Sequence, residues 1–356
     1  MIRLAHSFGA LLTSLVVLLL GSGLAGTLVA LRMELEQFAT TTIGLVMACY
    51  SLGYVLATLW FGRIIVRVGH IRSFAILASS AAGSTLVFPL FIDPVVWAVM
   101  RGIFGFSIAG LYMVTESWLN GRTPREYRGR MLAFYGISTY AAMGGGQFLV
   151  NLWPVEGFEL FALATLLLGL SLIPVSLTRA PTPEVIETRP VPLRRLWRIS
   201  PLGTMGSLCA GIVLGAFLAL GPVFGRQVGL SVGEVSVLMG ASLLGGLLLQ
   251  WPVGGLSDRY GRRLSIVMVA IGLTIASWLL PLLGPGSDLL LVLLAVLWGG
   301  LAFTIYPLSL AMTNDHIEPE ELIGAGAGLL LMHGVGLIGT EISVTCTAGS
   351  TDCCAE

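Results

Sequence analysis

Apolar residues along the chain are gathered into long runs, and polar residues into the short gaps between them. Six runs fall near residues 9–32, 43–62, 73–92, 95–119, 129–152 and 157–178. A polar stretch comes next, and five more runs lie near 203–225, 232–255, 264–284, 287–312 and 323–344. Each is close to the ~20 apolar residues that cross a bilayer as a helix. In lipid every backbone N–H and C=O must be satisfied within the segment, so such runs predict helices rather than open strands. The pattern predicts an all-α polytopic membrane protein with about eleven spans. The first run is too long for a signal-peptide core and lacks a clear cleavage site, so it reads as a retained span.

Composition agrees. The chain of 356 residues is 56% hydrophobic and 11% charged, with a mean hydropathy of +0.91, whereas soluble domains carry about 25% charge. An ordinary soluble enzyme, a disordered protein and a nucleic-acid binder are excluded. The 46 glycines are spread through the apolar runs, where small residues let helix backbones approach closely. The 19 basic residues, balanced by 19 acidic ones, are all arginine. With the N-terminus cytoplasmic, sixteen arginines fall on inner segments, only Arg32 and Arg226 on outer ones, and Arg101 within a span. That bias fixes the expected orientation. The break at 179–202 holds five of the inner arginines together with Pro181, Pro183, Pro190, Pro192 and Pro201. It is expected to be a cytoplasmic linker between an N-terminal six-helix half, 1–178, and a C-terminal half, 203–356. Its PLRRLWRIS stretch, 192–200, fits either a segment lying on the anionic leaflet, with Trp197 at headgroup level, or a solvated linker.

An internal repeat supports two halves. The gap after the second run reads GRIIVRVGHIR from Gly62, and the gap after the eighth reads GGLSDRYGRR from Gly254. Superposing Gly62 on Gly254, Arg67 on Arg259 and Gly69 on Gly261 gives an offset of 192 residues. At these residues the chain resembles the major facilitator superfamily, whose loop G-x-L-x-D-R-x-G-R-R recurs once per half. The second copy matches through Gly254, Leu256, Asp258, Arg259, Gly261, Arg262 and Arg263. In the first, Val66 stands where the aspartate belongs, and His70 and Ile71 replace the basic pair. GHIRSF from Gly69, ESWLN from Glu116 and YRGRMLAFYG from Tyr127 resemble a bacterial branch, the YcaD-like permeases. The resemblance covers residues 1 to about 338. It implies two six-helix halves, alternating access, a small-molecule substrate bound near midplane between them, an inner-membrane location and no cofactor. A monomer is expected.

The loop residues Gly62, Arg67, Gly69, Gly254, Asp258, Arg259, Gly261, Arg262 and Arg263, with Arg130 at the start of the fifth run, are candidates for gating. Glycine permits the turn at a helix end, and an aspartate there complements a neighbouring helix N-terminus. Ionisable residues within spans are costly and mark function by default. Arg101 lies in the fourth run, where the resemblance implies proton coupling; the alternative is an arginine snorkelling to the outer interface. Glu116, nearer the other end of that run, is expected to pair with Arg130 or to join a gate with Arg67. Arg32 either faces a central cavity or pairs with Glu36 one turn on. Tyr112, Tyr140, Gln147, Gln250 and Tyr306 could line a pathway or make interhelical hydrogen bonds. Gln147 comes after Gly144–Gly146, where proton-coupled exporters of the superfamily usually carry proline, which leaves import or facilitation open.

No catalytic motif appears, and the histidines, His6, His70, His316 and His333, show no metal-ligand spacing. An enzyme and a metal site are not expected. The eleventh run, GAGAGLLLMHGVGLIG from Gly324, gives way to a tail beginning at Thr340 and Glu341, so the second half reads as truncated near residue 340. The expected function is transport of a small solute, with proton coupling an open option. A non-transporting membrane scaffold or sensor that keeps the fold, and an inactive truncated transporter, are the alternatives.

Overall fold

A computed structural model describes residues 2–123, 128–177, 191–280, 288–318 and 321–352. The helices in chain order are α1 (Ile2–Leu35), α2 (Thr40–Val68), α3 (His70–Val87), α4 (Pro94–Arg122), α5 (Arg128–Phe148), α6 (Glu159–Leu170), α7 (Leu172–Ser176), α8 (Leu193–Ile199), α9 (Pro201–Gln227), α10 (Val232–Tyr260), α11 (Arg262–Leu279), α12 (Asp288–Asn314) and α13 (Leu322–Asp352). No strand occurs among the described residues. Each apolar run is helical over most of its length, α6 and α7 together accounting for the sixth. Among the described residues, eight helical stretches are long and apolar enough to cross a membrane: α1, α2, α4, α6 with α7, and α9 to α12. The serine-rich α3 and the glycine- and tyrosine-rich α5 carry fewer apolar residues, and α13 has a shorter apolar stretch, Gly324–Thr340. Helix α13 continues past Glu341 to Asp352, so the polar tail does not end the helix at residue 340.

The chain forms two compact units, one of Met1–Phe38 and Cys49–Ile186, the other of Ala39–Ala48 and Glu187–Glu356. In the first, α1 packs on α5 and α6, and α3 on α4 and α6. In the second, α9 packs on α13 and α12, and α12 also holds α10 and α11. Lipid offers apolar side chains no reason to leave it, so helix association rests on close packing and interhelical polar contacts. Glycine supplies the close packing at matching places in both units. A Cβ on Gly23 would strike the Met143 carbonyl, and one on Gly146 the Leu20 carbonyl, where α1 meets α5. Gly53 and Gly105 likewise bring α2 and α4 to each other's carbonyls, at Gly102 and Tyr50. In the second unit Gly211 and Gly336 seat α9 on α13, and Gly245 and Gly299 seat α10 on α12. Gly53 and Gly245 stand 192 residues apart, the same interval that separates the two loops.

Helix ends are set locally. Asp93 caps α4, accepting from the N–H groups of Val95 and Val96 at 2.9 and 3.0 Å, with Pro94 in the first turn. Ser231 and Glu234 form a capping box at the start of α10. Residues 178–190 lie outside the described residues; the 192–200 stretch is described and packs within the second unit. It forms α8, whose Leu196 is buried with Val191 and Ala325, while Arg195 pairs with Glu321 at 2.8 Å. Trp197 on the same short helix is 47% exposed.

Candidate substrate and gating sites

The chemistry of the first unit is concentrated on α4. Its entry is rigid: the Trp97 indole N–H donates to the Phe91 carbonyl at 2.7 Å and its ring stacks edge-on against Phe88, centroids 5.2 Å apart. One turn on, Arg101 is 3% exposed, with its guanidinium carbon 4.9 Å from the Tyr50 ring centroid and 5.8 Å from that of Phe104. The close approach of α2 and α4 at Gly53 and Gly105 brings Tyr50 within reach. Arg101 is therefore covered by aromatic faces, a favourable setting for a desolvated guanidinium, and is not a snorkelling residue.

Farther along α4, Tyr112 is half-buried and its hydroxyl donates to the Met143 sulfur at 3.3 Å. Tyr50, Tyr54, Tyr140 and Glu116 share its electrostatic surroundings. Glu116 accepts a hydrogen bond from the Tyr135 hydroxyl of α5 at 3.1 Å. Of the two arginines expected beside it, the Arg130 side chain lies outside the described residues, and Arg67 is exposed in the last turn of α2. Although Tyr135 is buried, Glu116 is exposed. Tyr50, Tyr54 and Tyr135 were not singled out from the sequence. The i, i+4 spacing of Tyr50 and Tyr54 on one helix face was the available signal.

Two other candidates are structural ties. Gln147 is buried and its amide oxygen accepts from the Thr27 hydroxyl of α1, an interhelical bond where proline would offer none. Arg32 pairs with Glu36 at 2.7 Å and donates to the carbonyl oxygens of Val155 and Glu156, which fastens the end of α1 to the segment before α6. In the second unit, Tyr306 is half-buried against the His333 ring at 5.0 Å, a partner not foreseen, and Gln250 is exposed on α10.

The two glycine-marked loops have the same backbone. Gly69 has φ 84° and Gly261 φ 94°, values that favour glycine, and each N–H closes the preceding helix on a carbonyl four residues back, Ile65 and Ser257. Gly62 and Gly254 lie inside α2 and α10. Beyond the turn the two loops differ. Arg262 bonds Asp258 at 2.6 Å and Asp315 at 3.1 Å, tying α11 to the ends of α10 and α12. At the matching position of the first unit stands His70, 1% exposed, with Nε2 3.1 Å from the Ser117 hydroxyl and its ring stacked edge-on against Trp118 at 5.8 Å. Burial lowers its pKa below the ordinary 6.5. The first loop thus keeps the tie between neighbouring helix ends but makes it with a neutral imidazole. Asp258 bonds Arg262, the first residue of α11. Arg259 lies over the Tyr260 ring at 5.5 Å, and Arg263 is exposed.

Apolar helices able to cross a membrane, two units with matching glycine contacts, and one loop geometry recurring after 192 residues define a polytopic membrane protein built on an internal repeat. Residues 9–339 match the Major Facilitator Superfamily, and the chain belongs to that family of membrane transporters. An uncharacterized MFS-type transporter of Enterobacter sp. (strain 638) is 30% identical over 329 residues, covering 92% of this chain and 85% of its own length. The uncharacterized MFS-type transporter YcaD of Escherichia fergusonii is 28% identical over 332 residues, with the same coverage. Among solved structures, the nucleoside transporter NupG superposes with a TM-score of 0.78 at 17% identity, over 96% of this chain and 90% of NupG. A D-xylose–proton symporter does so at 0.66 and 15% identity, over 94% and 89%. At those identities the likeness is one of fold.

Proposed function

We propose that this chain moves a small polar solute across the bacterial inner membrane by alternating access of two repeat-related halves, with proton binding at Glu116. The reading takes 1–178 and 203–356 as the halves, 179–202 as a cytoplasmic linker, an N-terminus on the cytoplasmic side, eleven spanning helices and a monomer. One observation carries it. Glu116 is an ionisable group on a spanning helix, it is exposed, and its hydrogen-bond partner among the described residues is the neutral Tyr135 hydroxyl. A carboxylate in a membrane helix is costly and is kept for function. The Tyr135 phenol donates to the carboxyl without carrying a charge, so this bond leaves Glu116 able to gain and lose a proton. Arg101 stays protonated in proteins, so in this reading it fixes α4 against Tyr50 and does not carry the proton. Tyr54, Tyr112 and Tyr140 supply hydroxyls for the solute.

The test is uptake into proteoliposomes with and without an imposed proton gradient, using nucleosides and pentoses first because the structural neighbours carry those names. Wild-type protein should accumulate solute only with the gradient. Glu116→Gln should still exchange solute down its own gradient but lose proton-driven accumulation. Accumulation by Glu116→Gln equal to wild type would remove the proton from Glu116. Absence of exchange across a broad panel of polar solutes would overturn transport itself.

A further inference from the structure

We propose that the surface formed by the end of α10, the start of α11 and the end of α12 binds an anionic phospholipid, with its phosphate on Arg263 and an acyl chain along α11. A cleft of about 530 Å³ opens there, lined by Tyr260, Arg263, Leu264, Val267, Met312 and His316 among others. The charges around it are unevenly consumed. Asp258 and Asp315 both bond Arg262, and Arg259 rests on the Tyr260 ring. Arg263, next in sequence, has no carboxylate partner among the described residues and is exposed. An unneutralised guanidinium presents a fork that matches phosphate oxygens. His316 donates from Nδ1 to the Met312 carbonyl at 2.8 Å, which leaves Nε2 for a second partner at the cleft.

The rest of the cleft is apolar, and its apolar surface continues. Leu264, Val267, Met268, Ile271, Ile275 and Trp278 are all exposed and recur at helical spacing, so they form one outward stripe on α11. The stripe begins beside Arg263 and runs toward the far end of the helix. A free phosphate would use the arginine and leave this stripe bare, whereas a phospholipid uses both. Basic pockets at the ends of spanning helices are suited to anionic headgroups. A zwitterionic lipid would bring a cation of its own beside Arg263, so the unneutralised charge selects an anionic one.

The experiment is native mass spectrometry of the detergent-solubilised full chain, titrated with phosphatidylglycerol or phosphatidylcholine of identical acyl chains. Each variant is first checked for monodispersity and an unchanged thermal midpoint without lipid. Phosphatidylglycerol should bind in preference to phosphatidylcholine, and Arg263→Gln should weaken it about tenfold, as expected for losing a hydrogen bond to a charged group. Arg263→Lys, which keeps the charge and loses the fork, should bind between wild type and Arg263→Gln. Inorganic phosphate and glycerol 3-phosphate should not displace the lipid. Equal binding of the two lipids, unchanged phosphatidylglycerol binding in Arg263→Gln, or displacement by inorganic phosphate at matching concentration would each overturn the proposal.

Discussion

Replacing Gly105 by alanine tests whether the contact between α2 and α4 holds the first unit together and presents Arg101 to Tyr50. A Cβ at Gly105 would lie 2.8 Å from the Tyr50 carbonyl carbon and 3.0 Å from its Cα, with the carbonyl oxygen nearer still. These are backbone atoms, so no side-chain rotation relieves the clash. Restoring ordinary contact requires the helices to part by at least ~0.6 Å, a gap that forfeits a quarter or more of the dispersion energy of every atom pair along the seam. Overpacking of this kind costs about 1–3 kcal/mol. Alanine is also the better helix former by about 1 kcal/mol, an opposing gain that must be measured separately. Gly83 on α3 provides it, since nothing lies within 4 Å of a Cβ built there. The assay is reversible denaturant unfolding in mixed micelles of wild type, Gly83→Ala and Gly105→Ala. Gly105→Ala should be less stable than Gly83→Ala by at least ~1 kcal/mol. If the two variants are equally stable, the close approach of α2 and α4 does not carry the packing assigned to it, and the placement of Arg101 over Tyr50 loses its basis.

His70 is buried and its pKa is lowered, so the folded state binds fewer protons there than the unfolded state does. Its contribution to stability is therefore present above the ordinary value of 6.5 and is lost as pH falls through and below it; thermal unfolding from pH 8 to pH 5 should show a steeper decline in wild type than in His70→Gln, and equal slopes would refute this. The Thr27–Gln147 bond should give a coupling of about 0.6–2 kcal/mol in a Thr27→Val, Gln147→Leu double-mutant cycle, and strictly additive effects would mean that it does not join α1 to α5.

The helices were legible in the sequence because lipid permits only one local solution. A run of about 20 apolar residues must satisfy its own backbone, so run length and helix coincide. The repeat was legible for a related reason: Gly69 and Gly261 hold a backbone angle that other residues resist, so the turn is written in the residue itself. The partners of the polar side chains were not legible. Glu116 and Tyr135 are 19 residues apart, and Thr27 and Gln147 are 120 apart. Tyr50 meets Arg101 only because α2 and α4 touch at Gly53 and Gly105. The charged network at Arg262 could be suspected from DRYGRR, but its second acid, Asp315, belongs to no motif. The histidine that looked like a degraded arginine at position 70 proved to hold the equivalent tie without charge. Composition and periodicity thus determined which segments are helices and where they turn. Which side chains meet was decided by how closely the helices approach, and that distance is set by pairs of small residues on separate helices, a joint property that no single segment carries.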